Sequence, residues 1–335
     1  MGYGGNLIWT SVFKALAARE GRLIAPVHLP GPSDLVQGRL YDGATSLATD
    51  EIYRGNPALA FPQAAPKSAL ARLGDAAFFR ALSLLGLRER YERFVLAKAT
   101  AANATANEYI VHVDMRLHSY AAAQTKRRTV WKNAPRAASA MLDHLGGGDA
   151  APTCEMFFDA DERALAARTL EDAGVAGPFV AFEPDTNRAF FGDLRAWPFE
   201  FWQAALAQLG KRRPDLRLVQ LGTGTGPAIA GAIDLRGRTS FRSAALILAQ
   251  ARLFVGTESG LMHASQAVGG RALILWGGLT LPEFIGYPQS QRTLCKYVAC
   301  APCGNNGWCD NGRICMRKIS VEEVVAAMVE ELDRT

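Results

Sequence analysis

The sequence predicts an α/β protein built from two doubly wound, Rossmann-like domains that face each other across a cleft. Helical and strand-like patterns alternate from end to end, which favours parallel sheets joined by crossover helices. At 335 residues, 49% of them apolar, the chain exceeds the roughly 250 to 300 residues at which a single core stops growing. A structure-breaking run, Gly174-Val175-Ala176-Gly177-Pro178, then divides it into residues 1–174 and 175–335.

In the first half, residues 7–20 read as a helix, 22–27 as a strand, 78–96 as one or two helices and 108–113 as a strand. Residues 56–68 are rich in Pro and Ala without a period and read as a loop. Gly146-Gly147-Gly148-Asp149 with Pro152 interrupts structure before a helix at 159–173. The second half repeats the alternation, with strands near Phe179, Leu216, Phe254 and Ala272 and a final helix at 321–332. Open parallel sheets bind ligands at the carboxyl ends of their strands, so the strand-to-helix loops of both domains are expected to line the cleft.

Composition narrows the function. No apolar run approaches the ~18 residues a membrane helix needs, and the N-terminus lacks a basic region followed by an apolar stretch. A cytoplasmic protein is expected, with peripheral contact at the inner membrane left open. The net charge of +5 is too mild for a nucleic-acid partner. The cluster Lys126-Arg127-Arg128 reads as a solvated helix end, although residues 126–136 suit an acidic, phosphorylated ligand.

The most informative stretch is Ala251-Arg252-Leu253-Phe254-Val255-Gly256-Thr257-Glu258-Ser259-Gly260-Leu261-Met262-His263, a buried strand, a tight polar turn and a helix starting on Ser259-Gly260. Free amides and the helix dipole make such a tip an anion site. Glu258 and His263 flank it. A second junction lies upstream, where the strand ending at Glu183-Pro184 leads through a long loop to Arg195-Ala196-Trp197-Pro198 and a helix. Arg195 can meet phosphate oxygens there, or pair with Asp193 or Glu200. A glycine-rich loop, Leu221-Gly222-Thr223-Gly224-Thr225-Gly226-Pro227, follows another strand without the dinucleotide fingerprint; its glycines admit close approach of a base or ribose, or form a plain turn.

Cys300, Cys303, Cys309 and Cys315 fall in a Gly- and Asn-rich stretch too poor to form its own core. Four thiolates around zinc or iron would fix it. Disulfides are the rival, and the missing secretion signal counts against them. Cys154 and Cys295 read as packing residues.

These blocks, with Gly237-Arg238-Thr239-Ser240, resemble glycosyltransferase family 9, the heptosyltransferases of lipopolysaccharide cores. The resemblance covers most of residues 178–335 and the first half loosely. It implies the GT-B arrangement, with the acceptor on the N-terminal domain and the nucleotide sugar on the C-terminal one. It further implies inverting transfer of a heptose or related sugar from a nucleoside diphosphate, ADP by resemblance, to a saccharide or protein acceptor. No catalytic metal is expected. Arg195, Thr186, Gly222, Thr223, Glu258, Ser259, Gly260 and His263 become donor-binding candidates, with Arg195 where the family more often has Lys and Glu258 where it has Asp. Some members carry a similar Cys set before an Ile-Ser-x-Glu-Glu-Val helix, as residues 319–324 do here.

Two departures stand out. The family opens on a strand, whereas this chain begins Met1-Gly2-Tyr3-Gly4-Gly5-Asn6, so either the natural start lies upstream or another segment fills the strand's place. The family's base, an Asp in the first glycine turn, aligns with Asn6, and an amide does not accept a proton at neutral pH. Asp114, after the strand at 108–113 and near Arg116 and His118, is the expected substitute, unless it caps a helix. Two other functions keep a place: a same-fold nucleotide-sugar epimerase, whose catalytic pair is not evident, and a catalytically degenerate nucleotide-sugar binder, suggested by Asn6.

Overall fold

The computed structural model describes residues 2–27, 29–36, 49–60, 68–103, 107–113, 137–148, 153–185, 192–303 and 309–334. Its first element, helix α1 (Tyr3–Glu20), stops where Gly21 adopts φ 63° and returns its N–H to Ala17. Leu7, Ile8, Trp9, Val12, Phe13 and Leu16 are all buried, so the helix is covered on more than one side. Strand β1 (Ile24–Val27) pairs in parallel with β2 (Tyr109–His112), Ile24 opposite Tyr109, and Leu59 bridges its other edge. Among the described residues, β1 is thus flanked by β2 on one edge and by the Leu59 bridge on the other.

Around this small sheet lie α2 (Pro32–Val36), a π-helical turn (Thr49–Tyr53), α3 (Ala69–Leu84), α4 (Arg88–Asn103) and α5 (Ala137–His144). Helix α3 begins well before the expected residue 78 because Ser68 caps it, its hydroxyl accepting from Ala71 N at 3.2 Å. Helix α6 (Ala160–Asp172) starts on a capping box in which Asp159 and Glu162 exchange hydrogen bonds with each other's backbone.

The larger sheet comprises β3 (Phe179–Phe182), β4 (Arg217–Gln220), β5 (Ile233–Asp234), β6 (Leu253–Thr257), β7 (Ala272–Trp276) and β8 (Gln291–Cys295). Its order is β5-β4-β3-β6-β7-β8, every pair parallel. The order reverses between β3 and β6, which is where a doubly wound sheet binds its ligand. Strands β5 and β8, edge strands with few apolar residues, escaped the periodicity reading.

Helices α7 (Gly192–Arg195), α8 (Phe199–Arg212), α9 (Phe241–Gln250), α10 (Gly260–Ala267), α11 (Pro282–Ile285), α12 (Ile314–Arg317) and α13 (Val321–Asp333) complete the chain. Val180 and Phe182 face a core with Trp197, Trp202 and Met328, while Phe179 and Ala181 face the opposite one. Both faces of β3 are therefore dry, as its unbroken apolar run requires. The second core passes from Ile274 through Met262 and Leu261 into Leu7 and Phe13 of α1. The two halves meet through α1 on α10, and α6 packs on α9. No described helix is long and apolar enough to cross a membrane.

Candidate active site at the sheet's switch point

The site grows from the carboxyl ends of β3 and β6. Ser259 takes an extended backbone and caps α10, its hydroxyl accepting from Met262 N at 3.4 Å and donating to Glu183 Oε2 at 2.6 Å. Glu183 is buried at the end of β3, its N–H bonded to Val255 O. Burial pushes its carboxyl up to about 7 and the negative charge of Asp185 adds to that, against the pull of the Ser259 hydroxyl and the Arg195 guanidinium. Glu183 thus changes charge near neutral pH, beside a helix tip suited to anions.

Arg195, at the end of α7, reaches across to Glu258, Nη1 to Oε1 at 2.9 Å, with both side chains largely buried. The pairings with Asp193 or Glu200 weighed above give way to this one. His263 lies one turn into α10, its Nδ1 hydrogen-bonded to the hydroxyl of Tyr287. That hydroxyl also meets Cys154 Sγ at 2.8 Å, so Cys154, whose thiol burial pushes up to about 12, is tied to the His263 side of the site.

Residues of α1 stand against the helix tip. A Cβ on Gly4 would fall 2.6 Å from His263 Cδ2, so only glycine admits this approach. Tyr3 stacks on Phe241, ring centroids 4.2 Å apart, and both border the half-exposed Gly260. Asn6 is buried and engaged, its Nδ2 donating to Gly2 O and its Oδ1 accepting from Tyr53 OH at 2.8 Å. Beside Tyr53, Glu51 keeps one buried carboxylate oxygen, Oε2, that makes no hydrogen bond.

The glycine-rich loop forms the exposed rim. A Cβ on Gly226 would lie 1.9 Å from Asp185 Oδ2, which explains glycine there. Arg236 grips Asp234 through two 2.7 Å bonds and also donates to Gly226 O, fixing the loop against β5. Gly222 and Thr223 therefore stand on the rim near Arg236, and Arg195, Glu258, Ser259, Gly260 and His263 gather at the switch point. Asp114 and Thr186 lie outside the described residues, as do Arg116, His118 and residues 126–136.

Of the clustered cysteines, Cys315 lies on the other face of β7, in the core with Leu273 and Leu275. Cys315 is buried and receives hydrogen bonds from the backbone of Gly278 and Met316, while Cys309 Sγ accepts from Arg313 N at 3.3 Å. Burial, then the nearby Cys309 and Cys300, raises the Cys315 thiol. Backbone donors aimed at sulfur suit thiolate ligands, yet among the described residues no three His, Cys, Asp or Glu side chains gather closely enough to hold an ion. All six cysteines are free.

A parallel sheet with a helix tip at its switch point, faced by a second α/β unit, is the GT-B arrangement. The model described as glycosyltransferase family 9 (heptosyltransferase) matches residues 116–308, more than half of the chain, and the protein belongs to that family. The glycosyl transferase family 9 structure from Veillonella parvula DSM 2008 is similar over 100% of this chain and 95% of that one, with a TM-score of 0.63 at 14% identity. E. coli heptosyltransferase WaaC with ADP is similar over 99% and 97%, with a TM-score of 0.51 at 16% identity. The iron-containing dodecameric glycosyltransferase TibC from enterotoxigenic E. coli H10407 aligns over 60% of this chain and 55% of its own, with a TM-score of 0.45 at 18% identity. No curated protein matches the sequence.

Sequence reasoning passed over Glu183, Glu51 and Tyr287. Glu183 was visible as an acid ending an apolar strand, but its role depends on strand order, and Tyr287 reaches His263 only through the fold.

Proposed function

We propose that the protein is an inverting glycosyltransferase that moves a heptose or related sugar from ADP to a saccharide or protein acceptor, in the cytoplasm and in lipopolysaccharide biosynthesis. The observation that carries this reading is the Arg195–Glu258 pair just before the Ser259 cap of α10, with His263 in the helix's first turn. As the bond from the anomeric carbon to the diphosphate breaks, negative charge gathers on the leaving group, and Arg195, His263 and the α10 amides are the groups proposed to stabilise it. Glu258 contacts the transferred sugar. Gly222, Thr223 and Thr186 border the nucleotide. Residues 175–335 bind the donor and residues 1–174 the acceptor.

The base belongs to the acceptor side. Asp114 is offered on sequence grounds, with Asn6 orienting the acceptor. Glu51 is a second candidate, favoured by its unbonded buried oxygen. The four-cysteine segment is proposed to hold a structural zinc or iron, supported by the backbone donors on Cys309 and Cys315. Chelator-free protein is expected to contain about one equivalent of metal by elemental analysis, lost when Cys309 and Cys315 are both replaced by serine; metal-free wild-type protein would refute the assignment.

Incubation with ADP-heptose tests the whole reading. With donor alone, slow release of ADP and free heptose of inverted configuration, water being the acceptor, supports transfer; interconversion of the sugar supports an epimerase, and thermal stabilisation alone supports a binder. Asp114→Asn and Glu51→Gln, run together, identify the base as the one whose loss abolishes release while ADP still binds.

A further inference from the structure

Helices α3 and α4 form a hairpin whose inner face is well packed. Phe78 meets Tyr91 edge-on at 5.2 Å, Tyr91 OH donates to Pro30 O, and Asp75 accepts from the Ser33 hydroxyl at 2.6 Å. The outer face is also apolar. Leu70, Leu73, Gly74, Ala77, Ala81 and Leu84 follow helical spacing along one side of α3, and all are exposed. Leu70 is 82% exposed, Leu73 67% and Leu84 80%, and Leu85, in the turn that follows, is 69%. From Leu70 to Leu84 the stripe runs for about 21 Å. A helix that is apolar on both sides has a second partner besides its own core.

The charge around the stripe identifies that partner. The hairpin exposes Arg72, Arg80, Arg90, Arg93 and Lys98, and Glu89 is its one exposed carboxylate. Asp75 and Glu92 are buried and hydrogen-bonded, to Ser33 and Arg88. Lys98 lies over the ring of Phe94, which is itself 54% exposed. Exposed leucines on a hairpin whose exposed charges are mostly cationic, with Arg80 on the flank of the stripe, match an anionic lipid surface. A second protein copy would bury these like charges against one another.

We infer that the α3–α4 hairpin is a docking surface for an anionic bilayer, which it lies on rather than crosses. This inference rests on the reading of a peripheral membrane contact and gives it a location on the N-terminal half. Docking there would hold the acceptor-side unit against the leaflet while the donor site stays in water.

Flotation of the full chain with vesicles tests it. Binding is expected on equal mixtures of phosphatidylethanolamine and phosphatidylglycerol, and not on phosphatidylcholine alone, with affinity falling as salt rises. Leu70→Gln/Leu73→Gln should lower affinity about tenfold or more, and Arg80→Gln about fivefold. Because these side chains are exposed, melting temperature and ADP-induced stabilisation should match wild type. Equal binding to neutral vesicles, or leucine variants that bind as well as wild type, would overturn the inference. So would light scattering showing an oligomer that the leucine changes dissociate while no vesicle binding is seen. Loss of vesicle binding with retained ADP release would leave the transferase reading intact, and wild type that docks on vesicles but releases no ADP would sink that reading alone.

Discussion

Glu183 and Ser259 share a hydrogen bond at the switch point of the sheet. The Glu183 carboxyl holds its proton more tightly in the fold, up to about 7, than in the unfolded chain. The stability linked to that proton is therefore complete below the ordinary carboxylate range and is lost as pH rises through about 7, a difference of about 3 kcal/mol. Glu183→Gln should gain stability over wild type progressively between about pH 5 and about pH 8. Paired melts that differ by the same amount at every pH would refute this. Arg195 and Glu258 make a contrasting case, since breaking a largely buried ion pair leaves one charge uncompensated. Arg195→Gln should cost about 3 kcal/mol in denaturant unfolding and weaken ADP at least about tenfold by calorimetry. If Glu258 contacts the sugar as proposed, Glu258→Gln should lose turnover with ADP affinity retained.

At the scale of elements, α10 is held from both ends of the sequence. Its cap is local, and Ser259→Ala should lower thermal stability by about 1 kcal/mol while freeing Glu183 of its hydroxyl donor. Its neighbour is remote: α1 lies close enough that Gly4 touches His263. Gly4→Val should push the two helices apart and lower both the melting temperature and ADP affinity. Gly2→Val, where an added Cβ meets nothing within 4 Å, serves as the control that leaves both unchanged. The strand-turn-helix at residues 253–267 could be read directly, because a buried run, a capping Ser and a glycine follow one another in sequence. Helix α3 was read too short because its first turns present leucines to solvent, and a periodicity search assumes apolar residues face inward.

For the whole molecule, the core that passes from Ile274 through Met262 to Leu7 and Phe13 joins the two halves. The expected consequence is one cooperative calorimetric transition rather than two, and saturating ADP at about a hundred times its dissociation constant should raise stability by about 2.7 kcal/mol across that single transition. Two separated transitions, with ADP moving one, would show that α1 and α10 unfold independently.

The sequence by itself determined the α/β class, the helix tip at Ser259-Gly260 and the family pattern around Arg195, Glu258 and His263, since each is written in consecutive residues whose period or capping chemistry is local. Tertiary structure decided what those residues touch. Arg195 meets Glu258 rather than its near neighbours, Tyr287 reaches His263, Glu183 is desolvated beside Ser259, and α3 turns leucines outward. Each depends on strand order or helix docking, which join segments far apart in the chain, and a charge or an apolar side chain takes its energy from those remote surroundings rather than from its place in the sequence.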